Sequence, residues 1–70
     1  MKVTYDRETD TLTIRFKDEH ISESDELQEG IIADLNSQGK IVGLEILDAS
    51  QRITEPQNMT FESMGHPIAR

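Results

Sequence analysis

Polar and apolar residues alternate near the start of the chain. In residues 2–5 Val3 and Tyr5 share one phase. In residues 11–17 Leu12, Ile14 and Phe16 share one phase, while Thr11, Thr13, Arg15 and Lys17 occupy the other. A period of two sends successive side chains to opposite sides of a pleated strand, so both stretches predict half-buried antiparallel strands. The polar residues between them, Asp6-Arg7-Glu8-Thr9-Asp10, have the length of a hairpin connection. Two richer apolar runs follow, Gly30-Ile31-Ile32-Ala33-Asp34-Leu35 and Ile41-Val42-Gly43-Leu44-Glu45-Ile46-Leu47, joined by Asn36-Ser37-Gln38-Gly39. Asn at the first position and Gly at the fourth suit a type I turn, which makes this the clearest hairpin in the chain.

The second hairpin is apolar in both phases. Ile32, Ile41 and Leu47 lie opposite the set Ile31, Ala33, Leu35, Val42, Leu44 and Ile46. A bulge at Gly30 or Gly43 would exchange the two faces. The first three residues therefore form a candidate face for self-association or for cover by a helix. Asp48 can cap a helix near 48–54 with Gln51 three positions on, and Pro56 would end it. A second short helix is expected over 56–64, proline first and Gly65 last, followed by a frayed tail over 65–70. The expected architecture is α+β, mainly β: a four-stranded antiparallel meander with a short C-terminal helix packed on one face. It forms a single β-rich domain over 1–55 with a C-terminal segment over 56–70.

Composition narrows the functions. The 70 residues carry 14 acids against 7 bases, a net charge of −7. Nucleic-acid binding rests on Lys and Arg clustered against phosphates, and the seven bases here are scattered. The same deficit disfavours an anionic membrane surface, and no apolar run approaches the ~20 residues of a spanning helix. Met1-Lys2-Val3 leads directly into a strand rather than a signal-like apolar region. With no cysteine there are no disulfides, thiol nucleophiles or thiolate metal sites, and a cytoplasmic setting is expected. A domain under about 80 residues with no such staple is also a candidate for oligomerisation.

The acids are unevenly placed. Asp18, Glu19, Glu23, Asp25, Glu26, Glu29 and Asp34 fall in a block, 18–34, that contains no Lys or Arg. Such a block is expected as a solvated connection, or as a docking face that draws a basic partner by long-range attraction. Asp6-x-Glu8-x-Asp10 resembles the opening of a calcium loop, but Thr11 stands where glycine is needed and Lys17 where the closing glutamate belongs. That leaves an acidic turn. His20 and His66 are far apart and neither belongs to a metal-ligand pair, so no metal site is assigned. No serine lies in a nucleophile elbow, and no phosphate-cradling loop exists. Glu45 is the one acid inside an apolar strand run. It is expected in the polar phase of the strand, with a buried hydrogen-bonded carboxylate as the alternative. Neither catalytic residues nor a cofactor are assigned.

Three blocks carry a family resemblance: Met1-Lys-Val-Thr-Tyr-Asp-Arg-Glu-Thr-Asp-Thr-Leu-Thr-Ile-Arg-Phe16, Gly30-Ile-Ile-Ala-Asp34 and Gly39-Lys-Ile-Val-Gly-Leu-Glu-Ile-Leu-Asp-Ala-Ser50. In this order and spacing the chain resembles the prokaryotic family catalogued as domain of unknown function 2283, over residues 1–50. The family carries no established activity, cofactor or catalytic residue. Its genes often lie beside small toxin-like ribonuclease genes, so the resemblance implies an antitoxin-like role. Three functions follow as expectations. One is a small acidic interaction module binding a basic protein. Another is a homodimeric structural domain without a ligand, and a third is a module for a small ligand or divalent metal.

Overall fold

The computed structural model describes residues 1–67. Five strands and one helical turn follow in order: β1 (Lys2–Asp6), β2 (Thr11–Arg15), β3 (Glu23–Gln28), β4 (Ile31–Leu35), β5 (Ile41–Ile46) and α1 (Ala49–Arg52). All five strands join one antiparallel sheet in the order β1-β2-β5-β4-β3. The mainly β, antiparallel architecture with a short C-terminal helix is therefore the observed one. Two details differ. There is a fifth strand, β3, inside the acidic block, and β2 neighbours β5 rather than the next strand in the chain.

The second difference follows from the first. Each antiparallel step reverses the chain, so inserting β3 leaves β4 running in the same direction as β2. Only β3 or β5 could then lie antiparallel beside β2. Strand β3, Glu-Ser-Asp-Glu-Leu-Gln, has almost nothing apolar to bury, whereas β5 carries Val42, Leu44 and Ile46. Burial selects β5, which takes the centre of the sheet. The seven residues 16–22 between β2 and β3 must cross three strand spacings, about 14 Å, well within their reach. They are fastened on the way. Phe16 and Lys17 donate backbone N–H groups to the Val42 carbonyl, and Ser22 donates to the Leu35 carbonyl.

Local chemistry sets the turns. Asn36 Oδ1 accepts the backbone N–H groups of Gln38 (2.9 Å) and Lys40 (3.0 Å), and Gly39, at φ 77°, donates to the Asn36 carbonyl. This is the turn expected from the sequence. Between β3 and β4 the chain reverses through Glu29 and Gly30, with Gly30 at φ 80°. A register shift between Glu26 and Gln28 makes Leu27 the bulged residue.

Residues directly opposed across a ladder share a face. One face carries Val3, Ile14, Leu44 and Ala33 in one row and Tyr5, Leu12, Ile46 and Ile31 in the next. The other carries Lys2, Arg15, Gly43, Asp34 and Ser24, then Thr4, Thr13, Glu45, Ile32 and Glu26. The sheet thus has one apolar and one polar side. Ile32 therefore lies on the polar side opposite Glu45. Ile41 pairs with Leu35 beyond the β4 irregularity and is 48% exposed, and Leu47 follows β5. These three residues do not make the second apolar face expected for them, because the polar phase of β4 and β5 is filled by Asp34, Gly43 and Glu45.

Leu12, Ala33, Val42 and Ala49 form the buried apolar core. The helical turn closes one end of the sheet, at the tips of the β1–β2 and β3–β4 hairpins. The Ala49 backbone N–H reaches the Asp10 carbonyl, Leu47 donates to Gly30, and the Arg52 guanidinium packs against Gly30 while its Nε donates to the Leu47 carbonyl. The turn is shorter than the expected 48–54. Asp48 makes no side-chain cap and sits at φ 52°. Residues 56–64 form no helix: Met59, Phe61 and Met64 are exposed, so the apolar packing that would hold a short helix is missing. The tail expected over 65–70 extends past the described residues at 68–70.

Candidate functional site

The acidic block becomes a sheet edge. Strand β3 pairs only with β4, and all six of its residues are exposed. Glu23 and Asp25 stand opposite Leu35 and Ala33, while Glu26 stands opposite Ile32 on the polar side, so the acids flank an unpaired backbone edge from both faces. Glu29 lies in the adjoining turn. Asp18 and Glu19 lie in the connection before β3, where the Glu19 carboxylate accepts a hydrogen bond from Asn36 Nδ2 (3.0 Å) and lies 3.8 Å from Lys17 Nζ. Six of the seven acids of the block are therefore exposed; Glu23, Asp25, Glu26 and Glu29 gather at the β3 edge, while Asp18 lies beside Met1, Lys2 and Arg15 on the β1–β2 side.

Asp34 is the seventh and leaves the group. It is 2% exposed, in the row Arg15, Gly43, Asp34 and Ser24 that runs across four strands. Ser24 Oγ donates to its Oδ1 at 2.8 Å. The other oxygen lies over Gly43, 3.5 Å from where a side-chain Cβ would stand, and that Cβ would come within 2.9 Å of the Ile14 carbonyl oxygen. Glycine at 43 is thus what lets β5 lie so close to the β2 backbone, with Asp34 in ordinary contact above it. Glu45 sits in the next row of the same face. A hydrogen bond with Asp34, burial and repulsion from the Asp34 charge push its carboxyl above the usual range. Arg15 extends from the same row but turns its guanidinium to the Glu19 carbonyl (2.8 Å), leaving its Nε buried without a partner. Glu45 therefore lies half-buried in the polar phase of its strand, opposite Thr13 and Ile32.

A second constellation joins residues far apart in sequence. The Asp10 carboxylate accepts hydrogen bonds from the Tyr5 hydroxyl (2.6 Å), the Ser50 backbone N–H (3.0 Å) and the Ser50 hydroxyl (2.6 Å). The two Ser50 contacts and the Tyr5 hydroxyl hold the Asp10 carboxyl below its usual range, and the same contact raises the Tyr5 hydroxyl above its own. Asp6, by contrast, serves its own turn, accepting the Glu8 N–H at 3.0 Å. Two of the three alternating carboxylates, Asp6 and Asp10, are thus engaged by backbone and hydroxyl donors. Among the described residues no three His, Cys, Asp or Glu side chains are grouped to hold a metal ion. His20 and His66 are both exposed. No helix among these residues is long and apolar enough to cross a membrane.

The family described as protein of unknown function (DUF2283) matches residues 2–50. The chain belongs to that family. The matched segment contains the whole sheet and ends at Ser50, the residue that Asp10 grips, so the family unit coincides with the sheet and the first contacts of its closing helix. No curated protein and no solved structure matches the chain.

Proposed function

We propose that this DUF2283 chain is a non-enzymatic interaction module that docks a basic protein partner along β3. One observation carries the reading: the block with no Lys or Arg folds as an exposed edge strand whose outer backbone groups are unpaired by any strand of the sheet. An extended segment of a partner can add to such an edge through main-chain hydrogen bonds, while Glu23, Asp25, Glu26 and Glu29 attract its positive side chains. The protein works in the cytoplasm without a cofactor. A toxin-like ribonuclease encoded nearby, the partner class suggested by the family resemblance, would carry the charge that RNA binding demands, and the chain would act on it as an antitoxin.

The test is co-purification with the protein encoded beside it, at low and at high salt. A complex that weakens as salt rises, and that Glu23→Lys with Asp25→Lys abolishes while the fold persists, supports the reading. A complex indifferent to both charge reversals and to Asp25→Pro, which puts a proline in the edge strand, would end it.

A further inference from the structure

We propose that the concavity on the β1–β2 side of the sheet binds a small phosphate monoester with a flat or apolar body, the chemistry of a mononucleotide. The bases are scattered in sequence, yet the fold brings three of them to one place. Lys2 and Arg15 are directly paired across β1 and β2, and Lys17 follows two positions on. With Met1, Phe16 and Asp18 they line a cavity of about 440 Å³, inside the roughly 300–1,000 Å³ of small-ligand sites. Strand β3 is at the opposite edge of the sheet, so the inference does not rest on the docking edge.

Like charges directly opposed across a ladder repel, and a chain with 14 acids to 7 bases has carboxylates enough to neutralise them. It does not do so here. Among the described residues the one ion pair joins Lys17 Nζ to Glu19, 3.8 Å apart, on exposed side chains where such a pair is worth little, and Lys2 reaches no carboxylate. Arg15 gives Nη2 to the neutral Glu19 carbonyl at 2.8 Å and leaves Nε buried without a partner. Lys2, Arg15 and Lys17 against Asp18 and Glu19 leave 3 − 2 = +1 in a chain of net charge −7.

A phosphate monoester carries about −1.5 to −2 at pH 7 and can accept from a guanidinium and two ammonium groups together. Phe16, 41% exposed, and Met1, 80% exposed, give the organic part of such a ligand an apolar surface to rest on. A bare anion would use neither. The segment is also held in place beforehand, because the Phe16 and Lys17 N–H groups donate to the Val42 carbonyl at 2.8 and 3.3 Å. Binding then costs little ordering of the backbone. Size follows from what is missing around the cavity. None of Arg7, Lys40 and Arg52 joins the lining, so no basic track continues from it along which a polynucleotide could run.

Amide NMR of the full chain at neutral pH, titrated separately with adenosine monophosphate, inorganic phosphate and adenosine, tests this. Adenosine monophosphate should shift the Lys2, Arg15, Phe16 and Lys17 amides saturably, and should bind about tenfold or more tighter than either of the other two. Lys2→Glu with Lys17→Glu, both at exposed positions, should weaken it about tenfold or more while the rest of the spectrum shows the fold intact. Arg7→Glu, beyond the far end of the same hairpin, should leave the affinity unchanged. Absence of saturable shifts, shifts of equal size at Arg7 and Arg52, or indifference to the double charge reversal would overturn the proposal. Inorganic phosphate binding as tightly as the nucleotide would overturn the assignment of Phe16 and Met1 to the ligand's organic part.

Discussion

Asp10 caps the first residues of α1 at Ser50, across 40 residues of chain: both Asp10 oxygens accept from Ser50, one from its N–H at 3.0 Å and one from its hydroxyl at 2.6 Å. The residue placed by sequence to do this, Asp48, instead occupies the left-handed region at φ 52° and makes no cap. The β1–β2 hairpin thus supplies the acceptor that the helix needs, and the hairpin and the chain end become one unit.

That division of labour predicts opposite effects at two aspartates. Asp10→Ala removes the cap and the Tyr5 partner together and should lower Tm. Asp48→Gly relieves a left-handed non-glycine residue and should leave Tm unchanged or raise it. Thermal unfolding followed by circular dichroism ranks the two, and a larger loss for Asp48→Gly would reverse the assignment of the cap.

Two carboxyls give the stability two pH windows of opposite sign. Asp10 titrates below its ordinary 3.8 in the folded chain, so its contribution is present above 3.8 and lost as pH falls through the lower folded value. Glu45 titrates above its ordinary 4.5, so the folded state holds that proton better and stability falls as pH rises from 4.5 through the higher folded value. These two groups together favour the interval between 3.8 and 4.5. Glu45→Gln keeps a hydrogen-bonding side chain beside Asp34 without a second charge. It should raise the urea midpoint at pH 7 and lose that advantage in acid, and an equal gain at both pH values would contradict the repulsion between the Glu45 and Asp34 charges.

Gly43→Ala forces a methyl to within 2.9 Å of the Ile14 carbonyl oxygen and against Asp34. Overpacking of this kind costs about 1–3 kcal/mol. Urea titration should show that loss. If alanine is tolerated with no change in midpoint, the close approach of β5 to the Ile14 carbonyl is wrong.

Leu12 is buried between Tyr5 and Ile46 in the central rows of the apolar face. Leu12→Ala removes about 2–5 kcal/mol, comparable to the roughly 3–5 kcal/mol that the core of so small a domain supplies. The variant should be largely unfolded at 25 °C by near-ultraviolet circular dichroism and amide exchange, whereas Leu27→Ala, at the exposed bulge, should be nearly silent.

Strands β1, β2, β4 and β5 were legible because each carries its own record of which side chains seek cover. Val3 and Tyr5 share one phase, as do Leu12 and Ile14, and Ile31 to Leu35 and Ile41 to Ile46 are dense in residues that cannot stay in water. The Asn36 to Gly39 turn was equally plain, since Asn36 binds its own loop and Gly39 takes the positive φ. Strand β3 left no such record: its single large apolar residue, Leu27, is bulged out and exposed, and its other residues favour solvent. Its only local signal was Gly30, whose left-handed turn returns the chain antiparallel. The missed Asp10–Ser50 contact lay in the two blocks most specific to the family, but no periodicity connects a hairpin tip with a helix start.

The sequence by itself determined four of the five strands, the Asn36 to Gly39 turn, the acidity of one stretch and the family, because periodicity, turn chemistry and charge are properties of neighbours along the chain. Only the tertiary structure decided that the acidic stretch is a sheet edge, that Asp34 leaves it for a buried place beside Glu45, and that β5 sits at the centre. Those outcomes depend on which strand can run antiparallel beside β2 while burying the most apolar surface, a competition among segments distant in the chain.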